Sequence, residues 1–318
     1  MARGIMRDLS QHLSSVGTRR NFEQSLKNVG RVIAAQGKSL RELRVEEAVK
    51  YLEDRKGQVA QSQLNMERQA LQAMFQHVTH QLAPNERLSV IKSSKKTKQT
   101  SRAYTFDQVL MIAEHQSPKN ALATRVAYYA GLRAHELLTL DYPDNQPPSE
   151  RDSKDQMQLR KLKFAGRKGR VYTVVGKGGL CREVSLPIGL AEELERSRRK
   201  MPLAIRDRGV NYQTLYDVGG GNSWSKSFTE ASQRALGWSA GAHGLRHTYT
   251  QERLRELFES AAVAKRFDEL VTEENQKRPD DDPMTLVEKE SLRTSIAFSI
   301  ASQELGHFRP SITLVYTR

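Results

Sequence analysis

The sequence has little of what several protein classes require. Its 318 residues include one cysteine, Cys181, so no internal disulfide can form and no cluster of thiolates is available for structural zinc. No apolar run approaches the roughly 18 residues that span a bilayer, and the first twenty residues lack the apolar stretch of a signal peptide. We therefore expect a soluble protein of a reducing compartment, the bacterial cytoplasm or nucleoid, without a membrane partner.

Aromatic residues are ordinary in number, at 7%, and they do not alternate with basic residues as on a surface that stacks single-stranded nucleic acid. Acidic residues are too few to balance the 51 Lys and Arg residues, which leaves a formal net charge of +14. Such a surplus is typical of proteins that bind nucleic acid, because each neutralised phosphate releases counterions. A surface made basic only for solubility is the alternative.

The distribution of charge and of apolar residues divides the chain in two. Eighteen Lys and Arg residues but only nine acidic residues lie in the first hundred positions. Residues 1–92 repeat apolar side chains at helical spacing, which predicts a helical domain able to clamp duplex DNA, or else a generic helical domain with a solvated face. Residues 93–103 predict a basic linker, whose candidates for DNA contact are Lys95, Lys96, Lys98 and Arg102.

Residues 104–318 predict a second domain, mainly α-helical with one small antiparallel β-sheet. Thr105 and Gln108 have the spacing of a capping box, and Pro118 suits the first position of the next helix. Three short β-type runs follow between positions 157 and 187, namely LRKLKF, RVYTVV and CREVSLP. From Ile188 onward the pattern is helical again.

Two motifs in this domain carry cations that could act on a phosphodiester. GLRAHEL places Arg133 at the end of an apolar helix with Glu136 three residues on, although a buried structural ion pair would look the same. VVGKGGLCREV places Lys177 at the tip of a hairpin. The glycines around it lack the spacing of a nucleotide-binding phosphate loop, so an ordinary turn lysine is the alternative.

Two further motifs carry histidines. AHGLRHTYT supplies His243, Arg246 and His247 at a helix start, but a metalloprotease would need Glu where Gly244 stands, so we expect no metal site. ELGHFRPSITLVYTR supplies His307, followed nine residues later by Tyr316. Alone, each motif also has an ordinary explanation, a polar helix start in one case and a buried or surface tyrosine in the other.

Together these motifs resemble the tyrosine recombinases, the phage-integrase family. The strongest matches are GLRAHEL, HGLRHT and LGHFRPSITLVYTR. The resemblance covers about Thr105 to Arg318, and extends more loosely to residues 1–92, which are similar to the family's helical core-binding domain. The catalytic residues that it implies are Arg133, Lys177, His243, Arg246, His307 and Tyr316, with Glu136 and His247 in support.

The resemblance implies a site-specific recombinase that uses neither a metal nor a nucleotide cofactor. Tyr316 would attack the scissile phosphate, giving a 3′-phosphotyrosine and a free 5′-hydroxyl, and a 5′-hydroxyl of a partner duplex would then restore the bond. Members of the family act as tetramers on two DNA sites through a Holliday junction, with accessory DNA-bending or directionality proteins as possible partners. A type IB topoisomerase, or a DNA-binding regulator on a recombinase scaffold, is the alternative.

Two features depart from the family pattern. Arg246 and His307 are 61 residues apart, and the stretch 252–290 carries twelve acidic against seven basic residues, as an acidic insertion would. Only Thr317 and Arg318 follow Tyr316, whereas many members have a tail that docks on a neighbouring protomer. We expect the insertion to take over part of that subunit contact. Together with the divergent first domain, it favours a mobile-element integrase over a chromosome-dimer resolvase.

Overall fold

The computed structural model describes residues 2–96, 102–149, 159–176, 178–279, 282–307 and 314. The chain divides into two compact units, Met1–Gln99 and Thr100–Arg318. The division falls within the stretch 93–103 that the sequence predicts to be a linker. Each unit has a hydrophobic core of its own.

The first unit is a bundle of helices around a core of aliphatic and aromatic side chains, which include Leu26, Leu71 and Phe75. Ser93 is fixed to the bundle, because its hydroxyl donates to the carbonyl of Val59 at 2.7 Å. The basic stretch is therefore anchored where it begins. The helices are α1 (Ala2–Leu9), a 3₁₀ turn (Ser10–His12), α2 (Val16–Ala34), α3 (Val45–Arg55) and α4 (Gln61–His77).

The second unit is mainly α-helical with two small antiparallel sheets, which confirms the predicted fold class. Its largest core contains Ile112, Val126, Trp224 and Phe228, and a smaller core near the end of the chain contains Leu257 and Ile300. The elements before the second sheet are α5 (Phe106–Glu114), α6 (Pro118–Ala130), a 3₁₀ helix (Glu136–Thr139), β1 (Gly169–Val175), β2 (Cys181–Pro187) and α7 (Ile188–Arg196). Those that follow are β3 (Arg198–Asp207), β4 (Val210–Tyr216), α8 (Gly221–Leu236), α9 (Gly244–Glu259), α10 (Ala261–Asn275) and α11 (Leu286–Glu304).

The predicted starts of α5 and α6 are confirmed. The Thr105 hydroxyl accepts from the backbone N–H of Gln108, whose side chain accepts in return from the backbone of Thr105. Pro118 occupies the first turn of α6, where its missing N–H costs nothing. Gly131 ends α6 with φ +59°, a left-handed conformation that glycine adopts without strain.

Two of the predicted secondary structures are wrong. RVYTVV and CREVSLP do form a hairpin, β1 with β2, in which Tyr172 pairs with Val184. LRKLKF forms helical turns instead of a strand, because Leu159 and Leu162 pack on the smaller core at a spacing of three residues rather than two.

The helix expected to continue after Ile188 ends at Arg196, and residues 198–216 form a second hairpin, β3 with β4. Pro202 cannot donate a helical hydrogen bond, and Arg208 and Gly209 both have positive φ, as a two-residue hairpin turn requires. Among the described residues no helix is long and apolar enough to cross a membrane.

Candidate active site

The first turn of α9 (Gly244–Glu259) carries Arg246 and packs closely on the chain that enters the second unit. A Cβ atom added to Gly244 would lie 2.4 Å from the carbonyl oxygen of Arg102 and 2.4 Å from the Tyr104 ring, so only glycine fits there. The hydroxyl of Thr248 donates to the carbonyl of Tyr104 at 2.8 Å and accepts from its N–H at 2.7 Å. The segment with Arg102 is thereby held beside the helix with Arg246.

Arg246 joins three motifs that are far apart in sequence. Its side chain is fully buried, and Nη1 donates to the carbonyl of Gly131 at 2.5 Å. Nη2 donates to the carbonyl of Leu305 and to Nε2 of His307 at 3.0 Å. Because a guanidinium only donates, Nε2 of His307 is the acceptor in this contact. The predicted Arg246 and His307 therefore lie side by side.

Arg133 lies beside the same cluster and is more open to solvent, with 26% of its side chain exposed. Its Nη1 donates to Oε1 of Glu136 at 2.8 Å, and its backbone N–H donates to Oε2 at 2.8 Å. Glu136 is fully buried. Burial opposes its ionisation, but the positive charges of Arg182, Arg246 and Arg133 outweigh that effect and hold the pKa of Glu136 well below its usual range.

Arg182, on β2 (Cys181–Pro187), is a member of the cluster that sequence reasoning missed. It is buried and donates to Oε2 of Glu136 at 2.7 Å, to the carbonyl of Glu304 at 2.5 Å and to that of Gly131 at 3.4 Å. A Cβ at Gly306 would lie 2.8 Å from its Cδ. A charged residue within the apolar strand CREVSLP is the one sequence signal that could have drawn attention to it.

The predicted histidines lie next to these arginines. Desolvation of the ring, with the charges of Arg246 and Arg133, lowers the pKa of His307 to about 3. Desolvation and the Arg246 charge lower the pKa of His243 to about 4, although part of that side chain is exposed. His247 is buried, with its ring edge-on to that of His243 at 5.6 Å between centroids. Both low-pKa rings are neutral at pH 7. Because Nε2 of His307 accepts from Arg246, the proton of this neutral ring is on Nδ1.

Lys177, Tyr316 and Lys98 lie outside the described residues, so their predicted roles stay predictions. Gly176, the last described residue before position 177, lies beside the arginine cluster. A Cβ at Gly176 would lie 3.1 Å from Oε1 of Glu136 and 3.7 Å from Nη1 of Arg133. Lys95 and Lys96 are exposed at the end of the first unit.

No group of three or more potential metal ligands occurs within the described part of the chain. What the arrangement offers instead is a cluster of cations around one carboxylate, with two neutral imidazoles at its edge. Guanidinium groups in such a setting are suited to holding the oxygens of a phosphate.

No protein-family model matches the sequence, and no curated protein matches it. Solved structures do resemble the fold. A lambda integrase dimer bound to a COC′ core site is 15% identical, with a TM-score of 0.54 over 100% of this chain and 76% of that one. The Tn1549 transposon integrase in complex with transposon right end DNA is 10% identical, with a TM-score of 0.52 over 100% of this chain and 94% of that one. The chain therefore has the fold of the tyrosine recombinases.

Proposed function

We propose that the protein is a tyrosine site-specific recombinase, and within that class a mobile-element integrase, which cuts and rejoins duplex DNA without a metal or nucleotide cofactor. The observation that carries the proposal is that Arg133, Arg246 and His307 lie together in one cluster. They come from three separate motifs, and two of them contact one another directly. Such convergence is what a phosphoryl-transfer site needs, since its work is to position and stabilise charge.

The arginines act on the scissile phosphate. A phosphodiester carries one negative charge, and its pentavalent transition state concentrates more charge on the non-bridging oxygens. Arg133, partly exposed at the edge of the cluster, is placed to bind those oxygens directly. Arg246 adds a second permanent charge behind it and aligns His307. Guanidinium groups stay protonated at any working pH, so this field does not depend on pH.

Tyr316 is the nucleophile of the proposed reaction, and Lys177 is the general acid. A bond forms between the tyrosine oxygen and phosphorus while the bond from phosphorus to the 5′-oxygen breaks. The proton of Tyr316 passes to solvent, His243 and His307 add hydrogen bonds to the phosphate oxygens, and Lys177 donates a proton to the leaving 5′-oxygen. In the second step a 5′-hydroxyl attacks the phosphotyrosine, releases Tyr316 and restores the phosphodiester.

Duplex DNA with specific recombination sites is the proposed partner, bound by a homotetramer that acts through a Holliday junction. The basic first unit supports this, as do the solved structures of similar fold, a lambda integrase and a Tn1549 integrase that were both determined with DNA. The proposed phosphate contacts outside the active site are Lys95, Lys96, Lys98 and Arg102. Accessory DNA-bending or directionality proteins would set the outcome of the reaction.

Covalent trapping tests the proposal. Wild-type protein, Tyr316→Phe and Lys177→Ala are incubated with nicked duplexes that span each end of the element carrying the gene, in the presence of a chelator. A denaturant-stable protein–DNA adduct is expected from the wild type and none from Tyr316→Phe. Tyr212→Phe, in the β3–β4 hairpin, is the matched control and should still form the adduct.

Two results would overturn parts of the proposal. Salt-sensitive DNA binding without an adduct on any end would favour the DNA-binding regulator. An adduct together with relaxation of supercoils, but without strand exchange between two sites, would favour the type IB topoisomerase.

A further inference from the structure

The hairpin of β3 (Arg198–Asp207) and β4 (Val210–Tyr216) is a strongly basic surface that the reaction described above does not use. Residues 198–210 hold five basic residues and one acidic residue. Two of the cations are paired: Arg199 contacts Asp217 at 2.6 Å, and Arg198 contacts Glu195 at 3.6 Å. The others are exposed and have no carboxylate within 4.0 Å among the described residues. They are Lys200, Arg206 and Arg208.

The two faces of the hairpin differ. On one face Asp207 accepts from the backbone N–H of Asn222 at 2.9 Å, so its charge is used inside the protein. On the other face Arg206 pairs across the strands with Asn211, and Ala204 pairs with Gln213. All four of these side chains are exposed. This outer face is therefore polar and positive, with no acidic residue to offset Arg206.

Arg208 occupies a backbone position that does not suit arginine. It has φ +48° and is followed by Gly209 with φ +84°, in the two-residue turn closed by the pair Asp207 and Val210. Asn or Gly adopts the first position of such a turn with less strain. Nη2 of Arg208 donates to Oδ1 of Asn222 at 2.8 Å, but an exposed hydrogen bond between side chains contributes little to stability. The strained position therefore points to a further function for this side chain.

The turn is also fastened beside the candidate active site. The carboxylate of Asp207 lies against Gly221, whose N–H donates to the carbonyl of Ala134 at 2.7 Å. Ala134 is the neighbour of Arg133. Desolvation lowers the pKa of His135. The charges of Glu136 and Asp207 raise this pKa, whereas those of Arg133 and Arg208 lower it further. The turn therefore lies next to the segment that carries Arg133.

We propose that this hairpin is a further DNA contact, in which Arg206 and Arg208 bind backbone phosphates of the duplex next to the scissile phosphate. The inference rests on the proposed action on duplex DNA and adds a surface to it. Phosphates fit the observations because Lys200, Arg206 and Arg208 are exposed cations with no carboxylate within 4.0 Å among the described residues. The hydrogen bond from Arg208 to the neutral side chain of Asn222 leaves its positive charge uncompensated. The contact raises affinity for any sequence and does not select a site.

The salt dependence of binding measures this contact. The full chain is titrated with a mixed-sequence duplex of about 30 base pairs between 50 and 200 mM salt, and the slope of log Kobs against log salt is determined. Each lost phosphate contact reduces the slope by about 0.9. Arg206→Gln combined with Arg208→Asn should thus reduce the slope by about 1.8. Between 50 and 200 mM salt, the factor by which DNA affinity falls should then be about twelve times smaller for the variant than for the wild type.

The variants are chosen to separate binding from folding. Arg208→Asn suits the left-handed backbone, so the midpoint of thermal unfolding should stay equal or rise while DNA binding weakens. The matched control is Arg255→Gln, an exposed arginine in the acidic stretch 252–290 with no ion pair among the described residues, and its slope should equal that of the wild type.

Each other outcome is decisive. An unchanged slope in the double variant overturns the proposal, and if the DNA-free variant also sediments differently, the hairpin contacts a second copy of the chain. A wild type that binds no duplex overturns both this inference and the proposed function. If the double variant has a reduced slope but the wild type forms no covalent adduct, the hairpin contact is supported and the recombinase chemistry alone is refuted.

Discussion

Arg182 and Glu136 form a buried ion pair, in which Nη2 of the arginine donates to Oε2 of the carboxylate at 2.7 Å and neither side chain is more than 2% exposed. The second carboxylate oxygen accepts from Arg133. Glu136 therefore connects the β1–β2 hairpin to Arg133, the arginine of this cluster that is most open to solvent. The direction in which Arg133 presents its guanidinium depends on this one carboxylate.

Replacing Glu136 by Gln should destabilise the protein strongly. Removal of one partner leaves buried positive charge uncompensated, which costs about 3–5 kcal/mol. Urea unfolding of the two proteins measures the difference. Glu193→Gln is the control, because its pair with Arg125 lies at the surface, about one-third exposed, and such pairs contribute roughly 0–1 kcal/mol. Equal losses in the two variants would contradict the central position of Glu136.

Gly131→Ala should be much more harmful than Gly237→Ala, although both glycines end helices with positive φ. The backbone strain, about 1 kcal/mol, is common to both. At position 131 the new Cβ would also lie 2.7 Å from Cδ1 of Tyr249, whereas at position 237 nothing lies within 4 Å. Overpacking of this kind adds about 1–3 kcal/mol.

Thermal unfolding checks the stability difference between the two glycine variants, and DNA binding provides a second measurement. The carbonyl of Gly131 accepts from Arg246 and Arg182, so its displacement should weaken binding in Gly131→Ala alone. Equal melting temperatures in the two variants would show that Tyr249 moves aside without cost.

Local chemistry made part of the fold predictable. Thr105 with Gln108 and Pro118 mark helix starts through contacts within one turn, and such contacts are visible in the sequence. The hairpin β3–β4 was missed because the helical pattern before it gave no sign of stopping at Arg196. Pro202 and Gly209 were the signals that should have outweighed that pattern.

The site was predictable as a set of motifs but not as a network. Arg133, Arg246 and His307 were identified through a family resemblance. Arg182 lies 46 residues from Glu136, and no periodicity relates the two. Glu304 was also missed, although it lies three residues before His307 and holds the buried Arg253 at 2.9 Å. Partners of buried charges are set by tertiary packing, which spacing along the chain does not show.

The protein should become less stable as the pH is lowered, because of His307. Its pKa is about 3 in the folded chain and about 6.5 in an unfolded one. Between these values the unfolded state binds one more proton, so the free energy of unfolding falls as pH falls, by up to about 1.4 kcal/mol per pH unit. Urea unfolding at pH 5, 6 and 7 should show this slope, and His307→Gln should reduce it. Between pH 7.5 and 8.5 the two proteins should have the same slope, and a difference confined to that range would contradict this origin.

Within the acidic stretch 252–290, the helix α10 contributes little to the core for its length. Val263 is the one fully buried residue of α10 (Ala261–Asn275). At the start of α11 (Leu286–Glu304), Leu286 and Val287 are 85% and 80% exposed. Burial of such apolar side chains would stabilise the protein or a complex, whereas their exposure to water does not. Such a surface agrees with the expectation that this stretch takes part in subunit contact.

Deleting residues 268–284 should then weaken assembly of the tetramer on paired DNA sites while leaving binding to a single site intact. The deletion also removes Leu270, which packs on the smaller core, so a milder variant is needed to separate assembly from folding. Leu286→Ser with Val287→Ser changes only exposed side chains and should leave the thermal unfolding midpoint nearly unchanged. Native gel analysis of one-site and two-site complexes measures both effects. If this double variant forms two-site complexes as readily as the wild type, the exposed start of α11 is not part of the contact, and unchanged assembly after the deletion as well would remove the whole insertion from it.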